Sequence, residues 1–517
     1  MIIKTKFPKV VKRIFILIAL INCSFCVYAA DNVYNVKNYG AKGDGKSMDA
    51  PGINKAIEAA AANGGGTVLV PAGNYLCGSI RLKSNINLLI DQGATIIAAT
   101  IAEGGIYDEP EVPENDKYQD FGHSHWHNSL IWGEDLENVS ITGTGIIHGK
   151  GLVRYNEKGD KRANKSIALK RCKNVLLRDF TIYEGGWFGI LATGVDNFTL
   201  DNLKLDTNRD GIDIDCCRYV TVSNCRVNSP NDDGICLKSS FALNQLRTTE
   251  NVTITNCIVS GYNMGSVVDG TYKKTPPSNN FDRGPFGRIK FGTESNGGFK
   301  NITISNCVFD YCRGLAIETT DGASIEGVTV NNITMRDIVN SPIYLRIGGR
   351  MRAPEGTSPG QLKRINIGNI VAYNADPRQA SIISGIPSAY IDDVSLHDIL
   401  IYTAGGGTLE QSKGEMPEVI KDYPEPERHG ITPSYGFYVR HVKNIDMHNI
   451  KVMSLTADHR PVFFFDDVIG AQANNLDIAK PTGEPRITFK NVENISLNAV
   501  TELKNITITK STTTELK

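Results

Sequence analysis

The chain has 517 residues, and its 55 Lys and Arg nearly cancel its 56 Asp and Glu, for a formal net charge of −1. With no global field to favour nucleic acid or an anionic membrane surface, any acidic ligand must be met by local cations. The length suits two or three ordinary domains or one elongated repeat domain, and a hydrophobic content of 41% is enough for a large core.

Lys4, Lys6, Lys9, Lys12 and Arg13 precede an apolar run over residues 14–20, and the small residues Ala29 and Ala30 follow. That order predicts a signal peptide over residues 1–30, because the apolar run is short and no second hydrophobic segment follows. The expected mature protein begins near Ala30 or Asp31, is periplasmic or secreted, and has no membrane span. Leu20-Ile21-Asn22-Cys23 faintly suggests lipidation, but Asn22 is a poor neighbour for an anchored cysteine. Of the 11 cysteines, removing Cys23 and Cys26 leaves 9, an odd number that cannot all pair within one chain. The repeated contexts SNC, TNC and SNC at Cys225, Cys257 and Cys307 read as buried free thiols at one stacked position, with a disulfide at Cys216 or Cys217 as the alternative.

After a first strand and a glycine turn, Ile53, Ala56, Ile57 and Ala60 recur at helical spacing until Gly64-Gly65-Gly66 stops them. One amphipathic helix ahead of a long β array predicts a cap over its open end. From Asn85 onward one short phrase returns: NVSITG at Asn138, NVLLRDFTI at Asn174, NFTLDNLKL at Asn197, YVTVSNCRV at Tyr219, NVTITNCIV at Asn251 and NITISNCVF at Asn301. Later copies start at Gly327, Arg364, Asp393, Asn444 and Asn494, and the intervals from Asn174 to Asp393 are 23, 22, 32, 50, 26, 37 and 29 residues. Each phrase alternates apolar with polar residues, so each is a strand with one face buried. Coils of about two dozen residues with loops as the excess predict a parallel β-solenoid, and hairpin turn signals are too scarce for a sandwich or barrel. Asn at equivalent turns predicts side-chain ladders between coils. We expect one catalytic domain over residues 31–510, a tail at 511–517, and a monomer. Insertions at 101–128, 261–284, 350–362 and 405–434 are long enough to wall a groove.

At the centre lies TNRDGIDIDCCRYVTVSNCRVNSPNDDGICLKS, in which Asp210 precedes Asp232 and Asp233 by 22 and 23 residues. That is about one coil, so the carboxylates should meet on neighbouring rungs, with one held protonated beside ionised partners.

These segments resemble glycoside hydrolase family 28, the polygalacturonase and rhamnogalacturonan hydrolase family. The resemblance runs from YNVKNYGAKGDG through GGGTVLVPAGNYL to the strands beyond Gly327, and it is most specific where the family's Asn-Thr-Asp and Asp-Asp motifs match Asn208-Arg209-Asp210 and Asp232-Asp233. It implies an all-β, right-handed parallel β-helix acting on a pectic polysaccharide or oligosaccharide without cofactor or metal. It also implies that Asp232 is the general acid while Asp210 and Asp233 activate water, with inversion and an acid–base separation of roughly 6.5–9.5 Å. Lys238 fits the short tail after the Asp pair. The chain departs from the family at Arg209, where a Thr usually stands. The family's Gly-His-Gly should fall at 284–287, where there is no histidine, and its Arg-Ile-Lys at 313–318, where Ala316-Ile317-Glu318 stands.

Glu318 would repel a uronate next to the scissile bond, which points to a neutral rhamnose there and to exo attack on rhamnogalacturonan. The substrate-binding candidates are therefore Asn208, Arg209, Lys238, Arg288, Lys290, Glu294, Glu318, Arg346 and His125, with Arg forks suited to a uronate carboxylate. His125 belongs to the run His123-Ser124-His125-Trp126-His127, which either lines the groove in place of the missing histidine or is plain surface or packing, with a metal-binding face as a weaker alternative. Trp187 is either a sugar platform or core. Three other functions fit the same fold: a polygalacturonase on homogalacturonan, a calcium-dependent uronate lyase, and a non-catalytic glycan-binding solenoid.

Overall fold

A computed structural model describes residues 32–112, 116–155, 161–274, 285–478 and 484–517. The expected signal peptide and the last ten residues of the 261–284 insertion lie outside them. Thirty-four strands join in one sheet that winds through the described chain, and every pairing is parallel except the last. Because consecutive coils pair in register, each inward position becomes a column. Ile190, Ile212, Ile235, Ile289, Leu315 and Ile343 stand above one another, none of them exposed. Burying each such side chain is worth about 1.5–3 kcal/mol, and this column is one of several that together offset the backbone entropy lost in each coil.

The turns are held by the predicted ladders. Asn138 donates from its amide to Asn85 at 2.9 Å, Asn174 to Asn138 at 3.0 Å and Asn197 to Asn174 at 3.0 Å. All four sit at positive φ, between 55° and 63°, a conformation that Asn tolerates better than other side chains. Cys225, Cys257 and Cys307 are buried, and all nine described cysteines are free thiols.

Helix α1 (Ala50–Ala62) closes the first end, burying Ile53, Ala56, Ile57 and Ala60 completely. At the other end the expected tail is not a tail. Residues Ile506–Leu516 form a strand that turns back antiparallel on Ile487–Val500 and covers that edge. The domain thus runs past residue 510, because an unpaired terminal coil would leave a row of open N–H and C=O groups. Among the described residues no helix is long and apolar enough to cross a membrane.

Candidate active site

Strands β1 (Asp210–Asp215) and β2 (Ile235–Ser239) lie on neighbouring coils, with Ile212 opposite Ile235 and Asp215 opposite Lys238. Two residues back along that register, Asp210 faces Asp233. The Gly211 amide donates to the Asp233 carbonyl at 3.0 Å, and a Cβ on Gly211 would meet the Gly234 carbonyl at 2.4 Å. Glycine at this point lets the two aspartate segments close up. One oxygen from each of Asp210, Asp232 and Asp233 lies within 4.8 Å of the others. That is tighter than the 6.5–9.5 Å separation expected of an inverting pair. Asp210 and Asp233 are buried, while Asp232 is partly open and lines a cavity of about 530 Å³ with Arg209, Arg313, Tyr423 and Glu425.

The three carboxyls have different surroundings. Arg209 donates from Nε to Asp232 at 2.8 Å and lies 3.6 Å from Asp210. Its guanidinium packs over the rings of Tyr155 and Trp187, 4.5 and 4.8 Å from their centroids, and its buried Nη1 has no hydrogen-bond acceptor. Burial opposes charge on Asp232, but Arg209, Lys238 and Lys290 together hold its carboxyl below the usual range. Burial and the negative charges of Asp232 and Asp213 push Asp210 well above that range. Asp233 accepts from Arg288 Nε at 2.9 Å. Asp210 is thus raised and Asp232, the acid that the resemblance implies, is lowered; burial is the largest cause at Asp210, and Arg209 is the largest opposing charge at Asp232.

Beside Asp233 the next coils, β3 (Ile289–Ser295) and β4 (Leu315–Thr319), bring up Arg288, Lys290 and Arg313, all essentially unexposed. Glu425, from the 405–434 insertion, reaches into this group. Its carboxylate accepts from Arg288 at 2.5 Å and from Arg313 at 2.6 Å, and Lys290 lies 3.5 Å away. Burial alone would raise Glu425, but those three cations hold it well below its ordinary value.

The carboxylate sets close enough for a metal already have cationic partners. Asp232 and Asp233 are paired with Arg209 and Arg288. In the set Glu111, His127 and Glu134, the last pairs with Lys170 at 3.0 Å and Arg171 at 2.6 Å. A third set, Asp120, His123 and Glu294, is met by Lys238 and Arg352. A larger groove of about 1080 Å³, between Met416, Tyr438, Arg440 and Phe464, contains none of the three aspartates. Asp232 lines the smaller cavity, with Asp210 and Asp233 against it.

The family model described as "Rhamnogalacturonase A/epimerase, pectate lyase-like" matches residues 33–235, and "Right handed beta helix region" matches 189–351. A probable polygalacturonase of Arabidopsis thaliana is 24% identical over 76% of this chain and 79% of its own length. An exopolygalacturonase of Platanus acerifolia is 25% identical over 66% and 83%. The crystal structure of an exopolygalacturonase from Thermotoga maritima superposes with a TM-score of 0.59 at 18% identity, covering 94% of this chain and 95% of that one. The family 28 exopolygalacturonase of Yersinia enterocolitica gives 0.60 at 17%, covering 92% and 79%. At those identities the structures speak for the right-handed β-helix alone. The chain is similar in sequence to polygalacturonases over 66–76% of its length.

The candidate residues divide. Arg209 is brought to the cavity. Arg288 and Lys290 lie just behind it, engaged with Asp233 and Glu425. Lys238 lies deeper, 3.1 Å from Glu294 and 3.5 Å from Asp213. Glu294 is held well below its ordinary value against its burial by Lys238, His123 and Arg352. His123 lies deeper with Lys238, its Nε2 3.3 Å from Asp213, and touches none of the three site aspartates. His125 is turned away. It stacks on Phe121 at 3.8 Å, and its Nδ1 is 2.6 Å from that residue's carbonyl.

Glu318 does not face a sugar. It is fully buried 3.7 Å from Lys290, and burial pushes it up to about 8, so at neutral pH it is mainly uncharged. Arg346 is also interior, donating to Ser384, Gly385, Glu418 and Val419, and it serves to hold the insertion. Asn208 accepts from Asn231 through its backbone carbonyl, and its side-chain oxygen has no partner. Trp187 is 6% exposed and works as the stacking partner of Arg209. Sequence reasoning missed Tyr155, Arg313, Tyr423 and Glu425. The one available cue for the last two was YPEPER, a dense run of aromatic, proline and charge inside an insertion already read as a wall.

Proposed function

We propose that this chain is a secreted exo-acting hydrolase that releases galacturonic acid from rhamnogalacturonan by cutting the galacturonosyl bond to rhamnose. The observation that carries it is the meeting of Asp210, Asp232 and Asp233 within 4.8 Å at a cavity whose wall supplies Arg209 and Arg313. The rhamnogalacturonase description of the 33–235 match favours the substrate, and the exopolygalacturonases among the relatives favour terminal attack. The wall built by residues 405–434 favours it too.

Asp210 and Asp232 titrate as a pair that shares one proton. Asp232 is the member that reaches the cavity, so it donates to the glycosidic oxygen as the C–O bond breaks. The proton comes from the store on Asp210. Once Asp210 is emptied, it and Asp233 take up the proton of the attacking water, and the balance of one water per bond closes. Inversion is the outcome expected from the family resemblance and not from the carboxyl spacing. Anomeric proton NMR in the first minutes of reaction checks it.

The deciding experiment is incubation with rhamnogalacturonan and, separately, with polygalacturonate, followed by product sizing. Monomeric galacturonic acid released faster from rhamnogalacturonan is the expected result, with chelator leaving the rate unchanged. A ladder of large fragments, or faster release from polygalacturonate, overturns the reading. An unsaturated product that disappears with chelator would make the chain a lyase.

A further inference from the structure

We infer that Glu425 is a built-in carboxylate standing where the cation cluster beside Asp233 would otherwise hold a uronate of the substrate, so that the adjoining sugar position accepts only a neutral residue. The inference rests on the proposed galacturonosyl hydrolase and supplies its specificity device.

Arg288 and Arg313 come from two successive coils, a rigid frame, and Arg313 is further fixed by packing 3.6 Å over the Phe286 ring. Each gives one N–H to a different oxygen of Glu425, at 2.5 and 2.6 Å, with Lys290 Nζ at 3.5 Å from Oε1. Two forked donors and a point cation around one planar carboxylate are what recognition of a sugar carboxylate requires. The position adjoins the reacting groups, because Arg288 and Lys290 also contact Asp233 and Glu425 shares a cavity with Asp232.

The occupant belongs to no coil. It arrives on an insertion 137 residues downstream of Arg288. Buried cations without a counter-charge are costly. Asp233 answers one charge of the three, through Arg288 and Lys290. Glu318 is mainly uncharged at neutral pH, and burial raises Glu427, which meets Arg313 at 3.3 Å. Removing the carboxylate should therefore leave a cationic recess open to an external one.

The test uses the full-length protein with Glu425→Ala and the conservative Glu425→Asp, and galacturonic acid and galactose as probes. Melting curves and titration calorimetry are recorded with each sugar. Galacturonic acid should bind Glu425→Ala at least about tenfold tighter than wild type and raise its Tm with concentration, while galactose should do neither. Glu425→Asp, which keeps a carboxylate, should stay close to wild type. Equal responses of wild type and Glu425→Ala, or an equal response to galactose, would overturn the inference and leave Glu425 as an anchor of the insertion. Should Glu425→Ala not fold, Glu425→Gln carries the same comparison with volume preserved. These are binding readouts, so they separate from a failure of the proposed reaction, which would appear as no hydrolysis by wild type.

Discussion

Arg209 replaces a small hydroxyl residue, and its guanidinium changes what the neighbouring carboxyls do at a given pH. It holds Asp232 below the usual carboxylate range, whereas a donor must carry its proton. Activity that depends on protonated Asp232 is lost as pH rises through the value of the Asp210–Asp232 pair, and removing Arg209 raises the Asp232 side of that pair. Arg209→Thr should therefore move the alkaline limb of the kcat/KM profile to higher pH, even as KM worsens. A limb that stays in place would show that Arg209 does not govern the donor. Asp232→Asn should lower kcat on the natural substrate by about 10²- to 10⁴-fold with substrate binding retained.

Asp210→Asn should be equally damaging to turnover but should stabilise the fold. The folded-state value of Asp210 is raised above the unfolded value of about 3.9. Its contribution thus favours folding below that pH and is lost as pH rises toward the folded value. Asn has no such loss, so the Tm advantage of Asp210→Asn should widen from acid toward neutral pH. These residues were legible because two motifs one coil apart can only meet in a solenoid. Arg209 was legible as a departure, but its hold on Asp232 needed the coordinates. Glu318 shows the opposite failure: the expected place beside the scissile bond gave no hint that the side chain would be buried next to Lys290.

The repeated phrase was the clearest signal at the scale of elements, since its period of two residues and its Asn turns both survive loops of any length. What the phrase hid was continuity. The phrase at Asn251 divides into two strands, Thr249–Thr255 and Ile258–Ser260, whereas beyond residue 298 the phrase is one strand, as in Phe299–Asp310, where Asn306 bends the chain at φ 56° while the ladder of pairings carries on either side. Asn174 tests how much the turns hold. It donates to Asn138 and accepts from Asn197, and it sits at φ 55°. Asn174→Ala loses both bonds and keeps a Cβ in the left-handed region, a combined cost of about 1–2 kcal/mol for an exposed turn. Asn174→Gly loses the same bonds without the Cβ penalty, so urea unfolding should rank wild type above Gly and Gly above Ala. The reverse order for the two variants would mean that the left-handed backbone conformation does not set the cost at this turn.

Across the whole molecule, coils are interchangeable in their interior and distinct only in what is added to them. The core is a set of columns that any apolar, alternating phrase can extend, which is why the fold was readable from composition and period. The site is assembled from three sources: Asp210, Asp232 and Asp233 from coils, Asp120 from the 101–128 insertion, and Glu425 from the 405–434 insertion. Docking of a loop onto a distant coil leaves no periodic trace. The two ends carry a further requirement, because columns must stop without exposing an edge. Helix α1 meets it at the first coil. At the last, Ile506–Leu516 pairs antiparallel with Ile487–Val500, from Leu516 opposite Ile487 to Ile506 opposite Leu497. Deleting residues 505–517 would uncover a fourteen-residue strand, a ready template for a second chain. The truncated protein should therefore self-associate at micromolar concentration and elute as dimers and larger species in light-scattering chromatography, with a lowered Tm. The catalytic cavity is built from earlier coils, so whatever monomer is recovered should keep its turnover. A truncated protein that stays monomeric with an unchanged Tm would show that the last strand is an ornament and that the edge of Ile487–Val500 is protected by its own charges.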